Sequence, residues 1–349
     1  MSLDKKYRIL ICPHEIGGQM QLMAQELRRR GYNATSASYT QDWLGHVNDI
    51  SIDLNNISGM RRQLRKFLFT IWAADQYDIF HFFWGSSLFG LRWFPHLDLG
   101  LLELLGKKIF VHFRGLDIVD LAYFDYLRSK TAGDPVTEPP ISRPDQIRSL
   151  RLWRRYANRL LVSEPDLLLI VPEAEMVQQA IDLEHWKPSS APVPKQPGDP
   201  IRILHAPTLR RKKGTEFVEK SVSDLRQQGC KVELVLVEKI PASQVKPLYE
   251  SCDLAIDQVL YGWHGKFSAE LMALGKPVVC YLDDELVKCR PDLPIVNANP
   301  SNLTEKLREL VENAQLRQDL AQRGQVYASK YHDVRSIVDE CLRIYYEAF

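Results

Sequence analysis

The chain has no cysteine pair spaced as CxxC. Its six cysteines, Cys12, Cys230, Cys252, Cys280, Cys289 and Cys341, lie in or beside apolar stretches. That usage excludes a disulfide framework or a zinc ribbon and leads us to expect reduced, buried thiols. No apolar run reaches the roughly 18 residues needed to span a bilayer. The start, MSLDKKYRILIC, passes almost directly into a strand pattern, so no signal-peptide core and a cytoplasmic location are expected. Neither GxxxxGK[ST] nor GxGxxG occurs, which removes the P-loop and the dinucleotide fingerprint. Excess charge is absent too. With 45 Lys and Arg against 44 Asp and Glu, net charge is +1, so no global field favours nucleic acid and any basic patch must be local. There is no short tandem repeat.

What is present is alternation. The 349 residues suffice for two domains, and 45% hydrophobic with 26% charged residues is the profile of a soluble globular chain. YRILIC (7–12) reads as a buried strand, followed by a helix over 19–31 with Met20, Met23, Ala24 and Leu27 at helical spacing. Further strands are expected at 34–38, 78–83, 108–113 and 159–163, with helices at 60–76 and 145–158. The stretch HWKPSSAPVPKQPGDP (185–200) carries five prolines and reads as a linker. After it the alternation restarts, with strands at 201–206, 232–238, 253–257 and 277–281, helices from about Gly214 and over 243–251, and two or three helices over 301–347. The expected organisation is α/β throughout. Residues 1–185 form a Rossmann-like domain, 186–200 a linker, 201–330 a second Rossmann-like domain and 331–349 a final helix. Ligands in such folds sit at the carboxyl ends of the strands, in a cleft between lobes. A second proline-rich stretch, DPVTEPPISRP (134–144), reads as an excursion near that cleft or as a plain surface loop.

Two motifs carry chemistry. ILHAPTLRRKKGTEF (203–217) is a strand, a turn with Arg210, Arg211, Lys212 and Lys213, and a glycine opening a helix. Cations at a helix N-terminus oppose its dipole unless an anion binds there, and a diphosphate would resolve the conflict. In HGKFSAELMALGKPVVCY (264–281), Gly262 and Gly265 permit close backbone approach, Ser268 is the expected N-cap, and Glu270 is expected in the first turn. A carboxylate so placed can accept two hydrogen bonds from a ribose diol. Cationic turn, helix N-terminus and acid together describe a nucleoside-diphosphate site. Asp257 and Gln258, at the end of a strand, are expected to line it.

Over residues 201–285 this chain resembles the nucleotide-sugar lobe of GT-B glycosyltransferases, in particular the retaining family-4-like group. KKGTEF corresponds to that group's lysine–glycine turn, and SAELMALGKPVVCY to its acid, small-residue helix and G-x-P-V element. The resemblance implies that Lys213 contacts the diphosphate, helped by Arg210 or Arg211. It implies that Glu270 binds the ribose, and that a uracil-type base lies near Val237 to Ile240. Gly265, Lys266, Phe267 and Ser268 would line the donor site. The group's first acid would fall eight positions before Glu270, where this chain has Gly262; His264, Trp263 or Lys266 would then take over the sugar contacts. In the first half the resemblance is fainter. Gly17 and Gly18, in ICPHEIGGQMQL, match a glycine loop that approaches donor phosphate and acceptor. In HFRGLDIVD, His112 would lie near the donor sugar and Asp117 would position it or the loop. His81 reads as a core histidine, and the spacing of His81, His112 and Asp117 fits no usual metal motif. The closing stretch, 334–349, would return to the first lobe.

The implied reaction moves a sugar from a nucleoside diphosphate, of UDP type, to an acceptor hydroxyl with retention and without metal or other cofactor. The diphosphate leaves, and His112 positions rather than acting as a base. The acceptor is a saccharide, a lipid-linked saccharide or a small molecule. The helix at 60–76 combines Arg61, Arg62, Arg65 and Lys66 with Leu64, Phe67, Leu68, Phe69, Ile71 and Trp72. It either lies on an anionic membrane or faces the core with a cationic outer side. Two other functions fit this architecture: a nucleotide-sugar 2-epimerase, and a catalytically degenerate partner, for which Gly262 argues.

Overall fold

The structure is a computed structural model that describes residues 3–40, 45–91, 93–115, 117–118, 120–131, 143–190 and 198–349. Most of the loop expected at 134–144, and residues 191–197 of the expected linker, lie outside them. The described chain forms two compact units.

The first unit is built on β1 (Arg8–Cys12), β2 (Asn33–Ser38), β3 (Ile50–Ser51), β4 (Ile79–Phe83), β5 (Lys108–Phe113), β6 (Arg159–Val162) and β7 (Glu175–Met176). These strands pair in parallel in the order β3-β2-β1-β4-β5-β6-β7. Between them run α1 (Gln19–Arg29), α2 (Gly59–Gln76), α3 (Leu97–Leu104) and α5 (Arg143–Tyr156); α4 (Leu121–Thr131) belongs to the second unit. The strands read as continuous apolar runs because both faces are covered. Leu10 and Cys12 pack with Phe80, Phe82 and Val111 on one face. Ile9 and Ile11 pack with Met20, Met23 and Leu27 on the other.

The second unit contains β8 (Ile201–His205), β9 (Val232–Leu236), β10 (Leu254–Ile256), β11 (Val278–Cys280) and β12 (Ile295–Asn297), all parallel, in the order β12-β11-β10-β8-β9. Its helices are α6 (Arg210–Lys213), α7 (Thr215–Gln227), α8 (Lys246–Glu250), α9 (Lys266–Ala273), α10 (Asp284–Val287), α11 (Leu303–Glu312) and α12 (Ala314–Tyr331). The unit already includes Ile181 and Trp186, and Trp186 stacks on Tyr249 with ring centroids 5.6 Å apart. The last helix, α13 (Val334–Glu347), returns to the first unit. Its Ile337, Val338, Cys341, Ile344 and Tyr345, spaced by three and four, are buried in the cluster that holds Ile9 and Met23.

Three expectations change. The strands β3, β7 and β12 escape the sequence reading because two or three residues carry no period. Cys289 is exposed, unlike Cys12, Cys252, Cys280 and Cys341. And α2 turns most of its large apolar side chains away from the core, Phe69 alone packing against it. Met60 is 87% exposed and Leu68 57%, while the helix buries only Thr70, Ala73 and Ala74. Small residues let α2 approach the sheet closely, and most of the large ones remain outside. No described helix is long and apolar enough to cross a membrane.

Candidate functional site

In the second sheet β8 lies between β9 and β10, so the connections leave it in opposite directions, and the crevice at the carboxyl ends of β8 and β10 is the topological switch point. Asp257 emerges there from β10. Its Oδ1 lies 2.5 Å from Lys213 Nζ, and its Oδ2 accepts from Gly265 N at 2.9 Å and from Ser268 Oγ at 2.7 Å. Burial pushes the Asp257 carboxyl up, but the charge and hydrogen bond of Lys213, with Ser268 and Gly265, hold it below the usual carboxylate range. The result is a buried anion that fixes one cation at the strand ends. His205, which the sequence reading passed over, ties this edge together. Its Nδ1 pairs with Ile256 O at 2.8 Å and its Nε2 with Thr215 Oγ1 at 2.9 Å, while burial lowers its pKa to about 4. The neutral ring donates from Nδ1 to the carbonyl and accepts the threonine hydroxyl at Nε2.

Several details differ from expectation. The four cations do not crowd the N-terminus of α7; they form the single turn α6, joined to α7 through Gly214. Acids from other elements receive two of them, Arg210 and Lys213. Arg210 pairs with Glu219 and with Glu238, the latter at 2.9 Å, and Lys212 lies 4.6 Å above the Tyr261 ring. Arg211 stands beside them in the same turn. The dipole conflict is thus partly relieved within the protein, at Arg210 and Lys213. Ser268 is not the N-cap of α9, a place taken by Gly265; it sits inside the helix and donates to Asp257. Glu270 falls beyond the first turn and pairs with Lys266 Nζ at 2.8 Å, its side chain largely buried. Phe267 packs edge-on against Tyr249 at 5.1 Å.

The loop before α9 holds two further features. His264 is buried, its Nε2 has no hydrogen-bond partner among the described residues, and burial lowers its pKa to about 4. Trp263 beside it is buried. At Gly262, φ is +80°, and a Cβ would meet Tyr123 Oη at 2.6 Å and Leu127 Cδ2 at 3.0 Å. The position where the resembling enzymes carry an acid is therefore closed by α4. At the end of β9, Val237 is buried with its N–H on His205 O at 3.0 Å.

In the first unit Gly17 (φ 62°) and Gly18 (φ 76°) make a left-handed pair leading into α1, a conformation that glycine adopts without strain. Glu15 fills the helix entrance, accepting from Ile16 N at 2.8 Å and from Met20 N and Gln21 N at 3.3 Å. His112 is wholly buried. Its Nδ1 faces His81 Nε2 at 3.3 Å and its Nε2 meets Val177 O at 3.0 Å, which leaves neither ring nitrogen for a ligand. This departs from the expected place near a sugar: the β4–β5 register sets His81 opposite Phe110 and His112 opposite Phe83, so the two histidine rings meet diagonally within the buried layer. His81 is the core histidine expected, its other nitrogen bonded to Tyr345. Asp117 accepts from Arg114 N at 3.0 Å and Ile118 N at 3.2 Å, so it shapes the turn after β5; burial pushes its carboxyl up to about 7. Arg114, also missed in the sequence, is a buried guanidinium that donates to Gln19 Oε1 at 3.1 Å and lies 4.9 Å from the Phe83 ring.

No protein-family profile matches the chain, and no curated protein matches it in sequence. Its likeness is to solved structures. Sucrose-phosphate synthase from Thermosynechococcus elongatus superposes with a TM-score of 0.70 at 12% identity, over 97% of this chain and 98% of that one. Anabaena HepE in complex with UDP gives 0.63 at 13%, over 97% and 100%. WaaG, a glycosyltransferase involved in lipopolysaccharide biosynthesis, gives 0.58 at 12%, over 96% and 99%. The fold of this chain is accordingly GT-B, the one that the motif resemblance implied.

Proposed function

We propose that this protein is a glycosyltransferase of the retaining, family-4-like kind, moving a sugar from a UDP-type nucleoside-diphosphate donor to an acceptor hydroxyl. The observation that carries this reading is Lys213, held by buried Asp257 beside the Gly265 N–H at the switch point of the second sheet. An ammonium fixed at strand ends, with N–H donors beyond the one given to Asp257, suits a leaving diphosphate, whose growing charge it stabilises without a metal. Arg210 and Arg211 would assist, and Glu270 would exchange Lys266 for the ribose hydroxyls. His264, with its unused Nε2, and Lys266 would contact the sugar in place of the acid that Gly262 lacks. Asp117 and His112 would act from a distance, by setting the turn and strand end that carry Arg114, while Gly17 and Gly18 let a ligand approach the backbone. That HepE has been crystallised with UDP and with UDP-glucose supports the donor class.

The exposed side of α2 favours contact with an anionic membrane. Met60, Leu64, Phe67, Leu68 and Ile71 form one outward stripe, with Arg61 and Arg65 on its flank. Phe67 meets Phe89 at 5.6 Å, which joins the stripe to the apolar segment holding Leu91, Phe94 and Leu97. A twofold dimer through this face would set its cations against their own copies, whereas anionic lipid would neutralise them.

Calorimetric titration with UDP, GDP and ADP tests the main reading, repeated on Lys213→Ala and Glu270→Ala. Selective binding of one nucleotide, weakened at least about tenfold in either variant, is expected. Absence of binding by the folded wild type would reject the donor site. Binding without any transfer to acceptors would favour a degenerate partner, the reading that the closed space at Gly262 supports.

A further inference from the structure

We infer that the first unit carries a phosphate subsite formed by Arg62, Lys66 and His14, and that the acceptor of the proposed reaction bears a phosphate group. The acceptor clause rests on the glycosyltransferase reading; the subsite stands on its own geometry.

The four cations of α2 divide between two sides. Arg61 and Arg65 are exposed, beside the apolar stripe, while Arg62 and Lys66 are half-buried on the side that also holds Thr70, Ala73 and Ala74. Lys66 Nζ lies 4.8 Å from the centroid of the Tyr39 ring, and the His14 ring meets the same ring edge-on at 6.2 Å. His14 follows the carboxyl end of β1. The first sheet reverses its strand order between β1 and β4, so this is the switch point of that sheet, the place where open α/β sheets bind ligands.

No carboxylate among the described residues is in direct contact with the cluster. Among the described residues neither Arg62 nor Lys66 makes an ion pair. The carboxyl whose charge reaches Lys66 is Asp98, and its oxygens are already engaged by Ser87 Oγ at 2.6 Å and Leu88 N at 2.7 Å. Burial and the charge of Arg62 press the Lys66 ammonium below its ordinary range. Burial, then Lys66 and Arg62, lower His14 to about 4. Long cationic side chains ordinarily carry their charged ends into water, and like charges four apart on a helix repel. Turning two of them inward toward a histidine makes sense when an anion joins them. A planar guanidinium, an ammonium and an imidazole N–H converging from separate elements suit the several oxygens of a phosphate.

The test uses the full chain, saturated with UDP where it binds UDP, with the His14 imidazole observed by NMR. Inorganic phosphate and dihexanoyl phosphatidic acid are titrated separately. We expect a saturable shift of the His14 signals and a rise of about one unit or more in its pKa. Arg62→Gln with Lys66→Gln should weaken the effect at least about tenfold, and Arg61→Gln with Arg65→Gln should leave it in place. Since the inward pair removes repulsion, its Tm should not fall below that of the wild type. Much tighter binding of the short-chain lipid would assign the phosphate to a lipid, and equal binding to a soluble acceptor; both support the subsite. His14 signals unmoved by either probe, or moved equally in the inward variant, would overturn it. Failure to bind UDP would reject the donor reading without touching this result.

Discussion

Lys213 and Asp257 hold the second-unit site together through a contact in which the carboxylate is wholly buried and the lysine nearly so. Removing one partner of such a pair leaves a charge unpaired, so Lys213→Ala should cost roughly 3–5 kcal/mol at pH 7. The pH dependence has a definite sign. In the wild type the depressed Asp257 pKa contributes stability that is present above the unfolded value and lost as pH falls through the folded one. Without Lys213, burial dominates and the folded pKa rises above the unfolded value. Asp257 then takes up a proton on acidification, and the gap between variant and wild type narrows. Urea unfolding at pH 7 and pH 5 measures this, and a gap independent of pH would show that Lys213 does not hold Asp257 ionised. Gly262 makes a different prediction. Restoring the acid by Gly262→Glu combines a left-handed φ with a collision against Tyr123, and should destabilise by about 2 kcal/mol or more. Tyr123→Ala should recover only the steric part, because the backbone strain remains. A thermal melt that matches the wild type would mean that α4 yields easily.

At the scale of the element, α2 separates what periodicity can reveal from what it cannot. The spacing of its apolar residues marks a helix, and it forms over Gly59–Gln76. The same spacing suits a core helix or a surface one, and here the small residues lie inward. Leu64→Glu with Leu68→Glu should therefore change stability by no more than about 0.5 kcal/mol. It should abolish co-sedimentation with vesicles rich in phosphatidylglycerol, while neutral vesicles should bind neither protein. A marked loss of stability would instead mean that the stripe is covered within the protein. The turn α6 was equally ambiguous. Its four cations were legible, but the acids that receive Arg210 and Lys213, namely Glu219, Glu238 and Asp257, come from other elements.

On the scale of the whole molecule, the C-terminal helix completes the first unit from the far end of the chain. Ile337, Val338, Cys341, Ile344 and Tyr345 are buried there. At about 1.5–3 kcal/mol for each large apolar side chain buried, their sum is comparable with the net stability of a domain. A chain ending at Asp333 should lose the cooperative unfolding of the first unit and retain that of the second. Calorimetry would show one transition where the full chain has the stability of both, and an unaltered trace would refute the role of α13.

The sequence by itself determined the α/β alternation, the helical pattern of the last segment and the placing of Lys213, Asp257 and the glycine loop at strand ends. These signals are local: periods of two and 3.6, turn residues, and short motifs at strand ends. Only the tertiary structure decided that Lys213 meets Asp257, 44 positions away, that His112 is spent on the core, that α4 closes the space beside Gly262, and that α2 sets Lys66 over the Tyr39 ring that His14 also meets. Each of these depends on which strands become neighbours and on which side of a helix can approach the sheet. No run of adjacent residues encodes that, because packing is settled by the shapes and charges of partners that the chain brings together only when it folds.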